Sequence, residues 1–140
     1  MAFSEAKLRR VFDRTSGYCH LCHKRLVWRN YGRPEARGAW EVEHSRPRAW
    51  GGSDRLNNLY PACVRCNREK GSRRTNREMR ARHGKRRAPL SREKRVWARL
   101  ESAVVGGLLG MVAGSFLSWD GAKVFGLAGA LLGFLANPDR

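Results

Sequence analysis

Acidic side chains are scarce in this chain. Only 12 Asp and Glu stand against 29 Lys and Arg in 140 residues, a net charge of +17. The shortage is uneven. The first hundred residues hold 27 of the basic side chains and 9 of the acidic ones; the last forty hold 2 and 3. The first part is therefore built to meet a polyanion, nucleic acid by default, and the last forty residues cannot do that job. The opening MAFSEAKLRR lacks the apolar core of a secretory leader, so a cytosolic, reducing setting is expected. No long internal repeat is present. Cysteine is also sparse, with four in all, and in a reducing setting two disulfides are not the expectation.

The four cysteines come as two matching pairs, Cys19-His-Leu-Cys22 and Cys63-Val-Arg-Cys66. Two C-x-x-C knuckles predict a closed, tetrahedral, structural Zn2+ site. Free core thiols or a redox pair are the alternatives, and neither needs two matched pairs. With four thiolates available, His20 and His23 are not expected as ligands. His83 sits in a basic run and is expected to be exposed.

The coarse pattern is α+β. Residues 4–15 read as a helix with Ser4 as N-cap and Leu8, Val11 and Phe12 at helical spacing. Residues 40–44, WEVEH, alternate as a strand should, with Glu41 and Glu43 on one face. Residues 45–55 form a Pro/Gly-rich loop, and Leu59-Tyr60 a short second strand. Residues 67–82 read as one helix, broken by Gly84 and Pro89. Residues 91–101 form a further helical patch.

The stretches RTSGYCHLCHKRL and WEVEHSRPRAWGGSDRLNNLYPACVRCNREKG carry, in order, a knuckle, an acid-His pair, Pro, Gly-Gly, Asn-Leu, and a knuckle followed by Asn. This set resembles the HNH endonuclease family, whose core is a ββα-metal fold, over about residues 5–75. The resemblance implies phosphodiester hydrolysis with His44 as general base. It implies Glu43 and Asn67 as ligands of a catalytic divalent cation, Mg2+ or another. It gives Asn58 a supporting role, tying the loop that aims His44; Asn57 fits that position less well. The chemistry suits these residue types: a histidine with an ordinary pKa of ~6.5 is a fitting base at neutral pH, and a hard cation prefers carboxylate and amide oxygens. The family more often has Asp where Glu43 stands. The pleat alone would point Glu43 and His44 to opposite faces, so a shared phosphate requires distortion at the strand end. That distortion is implied by the resemblance alone. Glu41 is read as solvent-facing or supporting.

Arg68, Lys70, Arg73, Arg74 and Arg77 follow Asn67 closely and are expected on DNA phosphates. No base-reading module is evident, so little sequence specificity is expected.

From Ser102 the texture changes. Residues 102–119 are 18 residues without a charge, and 124–138 are 15 more. As a helix the first would be about 27 Å long, near the lower limit for a bilayer span. Gly106, Gly110 and Gly114 repeat every four residues, as do Gly129 and Gly133, and Ala122, Gly126 and Ala130. Such small-xxx-small ladders let helices approach closely in lipid and self-associate. They resemble glycine-zipper membrane hairpins, with a turn at Asp120–Lys123. The expected organisation is a nuclease domain over 1–75, a basic helical connector over 76–101 and a two-helix membrane hairpin over 102–136. By the positive-inside rule the nuclease domain lies on the cytoplasmic side. A soluble helical hairpin is the alternative for the tail. Two other functions are the rivals: a non-catalytic zinc module that binds nucleic acid, and a membrane-active protein with a basic targeting part.

Overall fold

The computed structural model describes residues 3–115 and 119–135. The chain divides into two compact units, Met1–Arg92 and Glu93–Arg140.

The first unit opens with α1 (Glu5–Asp13), whose N-cap Ser4 accepts a hydrogen bond from the Lys7 amide. Val11 is fully buried, and Leu8 and Phe12 pack beside it. The knuckle that follows is a tight reversal: the His23 amide donates to Cys19 O, and the Cys19 amide to Lys24 O. β1 (Trp40–His44) then pairs antiparallel with β2 (Leu59–Cys63). The register runs from Trp40 opposite Cys63 to His44 opposite Leu59. The second strand is thus longer than Leu59-Tyr60. Pro61 is tolerated because this sheet has only two strands, and its carbonyl accepts from the His20 amide.

β2 runs straight into α2 (Val64–Lys70), and α3 (Asn76–Arg82) follows. The single helix expected over 67–82 is therefore two. Gly71 ends α2, and Thr75 starts α3 with a reciprocal capping box to Glu78. The Thr-x-x-Glu pattern carries its own start signal, satisfying two amide donors that a continuous helix would have bonded internally.

The core gathers Val11, Leu21, Leu26, Trp40, Leu59, Ala62 and Met79 around Cys19 and Cys66. Trp40 is its centre: its ring meets Phe12, Trp28 and Tyr31 at centroid distances of 5.1, 5.9 and 4.9 Å. Contacts of this kind add to plain area burial.

The second unit holds α4 (Arg92–Ser115) and α5 (Trp119–Leu135). Residues 120–123, expected as a turn, lie in the first turns of α5; residues 116–118 and 136–140 fall outside the described residues. The two helices approach very closely. A Cβ at Gly106 would fall 2.2 Å from Gly129 O, and one at Gly133 would fall 2.1 Å from Ser102 O. Glycine at these positions serves packing inside the pair, so its spacing is no argument for self-association.

The transmembrane expectation for 102–136 is corrected. No helix among the described residues is long and apolar enough to cross a membrane. The reason is one of phase: α4 begins at Arg92 and spends its first turns on the charged REKRVWARLE segment. α5 is 17 residues long and includes Asp120 and Lys123. The pair nevertheless exposes many large apolar side chains, among them Val104, Leu108 and Leu109 on α4 and Leu127, Leu131 and Leu132 on α5.

Candidate metal centre and catalytic site

Cys19 and Cys22 come from the first knuckle; Cys63 closes β2 and Cys66 lies in α2. Their four Sγ atoms lie within 4.8 Å of one another, and no disulfide joins them. The Cys22 and Cys63 sulfurs are 3.8 Å apart. Zinc–thiolate bonds of about 2.3 Å in a tetrahedron place sulfurs at about that separation, so the donor set fits Zn2+. The protonation pattern shows the crowding. Hydrogen bonds from Cys19 push the Cys22 thiol down and bring Cys63 to about 7, while Cys19 and Cys66 are pushed up by sharing their protons with neighbouring sulfurs. A divalent cation would replace those protons.

Neither histidine of the first knuckle joins the sulfurs. His23 turns to Arg87 O at 2.9 Å. The ring of His20 is fully buried against Tyr60, stacked at 4.8 Å. His83 is exposed, yet its Nε2 lies 3.5 Å from Cys66 Sγ.

β1 presents its two glutamates to α2 as successive rungs. Glu41 meets Asn67, whose Nδ2 donates to Glu41 Oε2 at 2.6 Å. Glu43 meets Lys70: Nζ lies 2.5 Å from Glu43 Oε1, and it also donates to His44 O at 3.1 Å. Glu43 Oε2 faces His20 Nε2 at 2.9 Å. Glu43 and Lys70 are both 2 % exposed. Burial alone would raise the Glu43 carboxyl, but His20 and Lys70 outweigh it and hold it below the ordinary value. Burial pushes His20 down, against Glu43. His20 Nε2 thus faces the carboxylate in ion-pair range without meeting hydrogen-bond geometry, and Nδ1 faces the Arg80 guanidinium at 3.5 Å.

Two expectations meet this cluster. Lys70 is not available to DNA, because its ammonium is sealed inside the core by a carboxylate. Glu43 and Asn67 are engaged by different partners, and Glu43 already holds a buried cation. As arranged, the pair does not fit a shared divalent ion.

His44 faces the other way. Its side chain is 16 % exposed, and Nε2 lies 2.7 Å from Asp54 Oδ1. Asp54 is brought there by the 45–55 loop, whose Arg48 grips both carboxylate oxygens, at 2.8 and 2.7 Å. His44 and then Arg48 hold the Asp54 carboxyl down to about 2. An ionised Asp54 only accepts, so Nε2 carries the proton and Nδ1 the lone pair of a neutral ring. Arg48 Nε, 3.2 Å from the same Nε2, is then a charged neighbour rather than a donor to it.

The loop has few alternatives to this path. The Asn58 carboxamide accepts from the Arg46 amide at 2.7 Å and donates to Arg46 O and Ser53 O at 3.1 and 2.8 Å. A Cβ at Gly52 would fall 1.8 Å from Arg46 O. Arg14 closes the loop's far end by donating to Leu56 O and to Leu59 O, the latter at 2.6 Å. Arg68, Arg73, Arg74 and Arg77 are exposed; Arg68 lies 3.9 Å from Glu41, and Arg74 donates to Glu69 O at 2.7 Å.

Asp54 and Arg48 did not stand out in the sequence. The available signal was an acidic residue between Gly-Gly and Asn-Leu, in a loop otherwise free of acids.

Residues 19–73 match the family model described as HNH endonuclease. No curated protein and no solved structure matches the chain. The matched segment runs from the first thiolate of the metal cluster through both strands to the end of the basic turn after α2, and over these residues the chain is similar to HNH endonucleases.

Proposed function

We propose that this domain is a metal-dependent endonuclease that hydrolyses DNA phosphodiester bonds with little sequence specificity. The observation that carries the reading is the posture of His44. Its ring is half-sheltered, fastened at Nε2 by an ionised carboxylate, and left with Nδ1 to take a proton from water. The water oxygen attacks phosphorus, the bond to the leaving oxygen breaks, and the Arg48 guanidinium offsets charge that gathers on the phosphate. Arg68, Arg73, Arg74 and Arg77 hold neighbouring phosphates without reading bases. A zinc ion held by Cys19, Cys22, Cys63 and Cys66 would be structural, because a site closed by four thiolates has no place for water or substrate.

Dependence on a second, divalent ion is part of the proposal. In this structure such an ion would have to displace Lys70 from Glu43, so Glu43 and Asn67 form its site only after rearrangement. Incubating plasmid with the full chain in Mg2+, Mn2+ or Ni2+, beside His44→Ala, tests the reading. The wild type is expected to nick or linearise DNA. His44→Ala is expected to lose at least about a hundredfold in rate while still binding. Equal cleavage by both would overturn the base assignment. No cleavage by either would favour a non-catalytic nucleic-acid-binding zinc module.

For residues 93–135 we propose a lipid-associated role, with the nuclease domain on the cytoplasmic side. Its support is the exposed apolar surface of α4 and α5, larger than scattered single residues would explain. The protein is expected to float with anionic vesicles and to stay behind when truncated after Arg92. Flotation of the truncated chain, or none of the full chain, would leave a soluble cytoplasmic protein as the better reading.

A further inference from the structure

One cavity lies directly beside the His44 loop, and of its lining only Arg74 and Arg77 enter the reaction described above. It measures about 660 Å³ and lies between the 45–50 segment and the start of α3. Arg46, Arg74, Arg77 and Arg80 line it, with no acidic residue among the lining. Ser45, the neighbour of His44, forms part of the wall. So does Trp50, which leaves 56 % of its surface to solvent. The backbone of Trp50 is held in place, because Arg46 Nε donates to its carbonyl at 2.6 Å.

The wall is built around two polar groups. Asn76 Nδ2 donates to Ser45 Oγ at 2.7 Å. That leaves Asn76 Oδ1 buried and without a hydrogen-bond partner among the described residues. Tyr60 is not a second aromatic platform. Its ring is covered by His20 at 4.8 Å and by the Arg14 guanidinium at 3.8 Å. Trp50 is therefore the available stacking surface, in a cavity whose charge is wholly positive.

We propose that this cavity binds one unpaired nucleotide of a DNA strand next to the scissile linkage. The base stacks on Trp50, and the flanking phosphates lie on Arg74 and Arg77. Single-stranded or frayed DNA is then the preferred substrate. The reason is geometric: a base inside a duplex has both faces covered by its neighbours, so an indole reaches it only after unstacking. The π-face is common to every base, so the pocket adds strand preference without adding sequence preference. This inference rests on the nuclease reading for the position of the scissile linkage, but its test measures binding alone.

The test uses the full zinc-loaded chain carrying His44→Ala, so that no substrate is consumed. Fluorescence anisotropy is recorded with a labelled single strand of about 12 nucleotides, within the usual site size for such grooves, and with a blunt duplex of equal length at the same salt. The single strand is expected to bind at least about tenfold more tightly. Adding Trp50→Ala is expected to weaken the single strand by about tenfold and the duplex by less than about twofold. Trp50→Phe, which keeps a ring and guards against loop collapse, is expected to retain most of the preference. Equal binding of both DNAs, or equal loss on both with Trp50→Ala, would overturn the proposal. Failure of the nuclease reading would show as absent cleavage with these binding ratios intact.

Discussion

His44 Nε2 and Asp54 Oδ1, ten positions apart in the sequence, lie 2.7 Å apart across the Pro/Gly loop. The loop is shaped so that an acid from its far side closes on the ring, and everything else in it supports that closure.

Asp54→Asn keeps the shape of the side chain and removes its charge. Cleavage is expected to fall by about tenfold or more, as when any histidine base loses the carboxylate that sets its tautomer. Zinc content and DNA affinity are expected to stay near wild type. Because the Asp54 carboxyl is held down to about 2, its contribution is complete at neutral pH. It is given up only as pH falls from the ordinary aspartate range toward about 2. Single-turnover rates measured across pH check both points.

Gly52→Ala tests the loop itself. With Arg46 O only 1.8 Å from the new methyl, the 46–52 backbone must move. Activity is expected to drop steeply while the thermal midpoint of the zinc-bound domain changes little, since Gly52 lies outside the core. A fully active variant would show that the loop path does not aim His44.

Lys70→Met removes the cation from a 2 % exposed carboxylate. Breaking one side of such a buried pair is expected to cost about 3–5 kcal/mol in urea denaturation. The double variant Glu43→Gln/Lys70→Met is expected to recover part of that loss. Glu43 is held below its ordinary pKa, so its share of stability is present above the ordinary glutamate value and disappears on acidification. Glu43→Gln should flatten the dependence of stability on pH in that acidic window.

Removing zinc with a strong chelator is expected to unfold the first unit, read as loss of near-ultraviolet circular dichroism from the Trp28–Trp40 cluster. Cys63→Ser should do the same. Metal analysis is expected to give one zinc per chain before chelation. A folded, metal-free first unit would contradict the structural role of the cluster.

The metal centre was legible from spacing alone, because thiolates have few other reasons to recur in matched pairs. The β1 strand and α1 were legible from alternation and capping. The split between α2 and α3 was written in Thr75 and Glu78, but the basic run concealed it. What the sequence did not disclose was the destination of charged side chains. Glu43 and Lys70 look like surface residues until the register of β1 against α2 buries them together. Asp54 looks like loop filler until the chain reverses. Both depend on contacts between distant residues, which no local periodicity encodes.

The ladder between β1 and β2 also sets a separation. Cys63 occupies the rung opposite Trp40, and His44 the rung opposite Leu59. Four residues of strand, at about 3.3 Å each, put roughly 13 Å between the sulfur end and the imidazole end, about three times the ~4 Å span of an ion pair. Exchanging one thiolate for an imidazole, with its change in cluster charge, should therefore leave the acid–base behaviour of the reaction where it was.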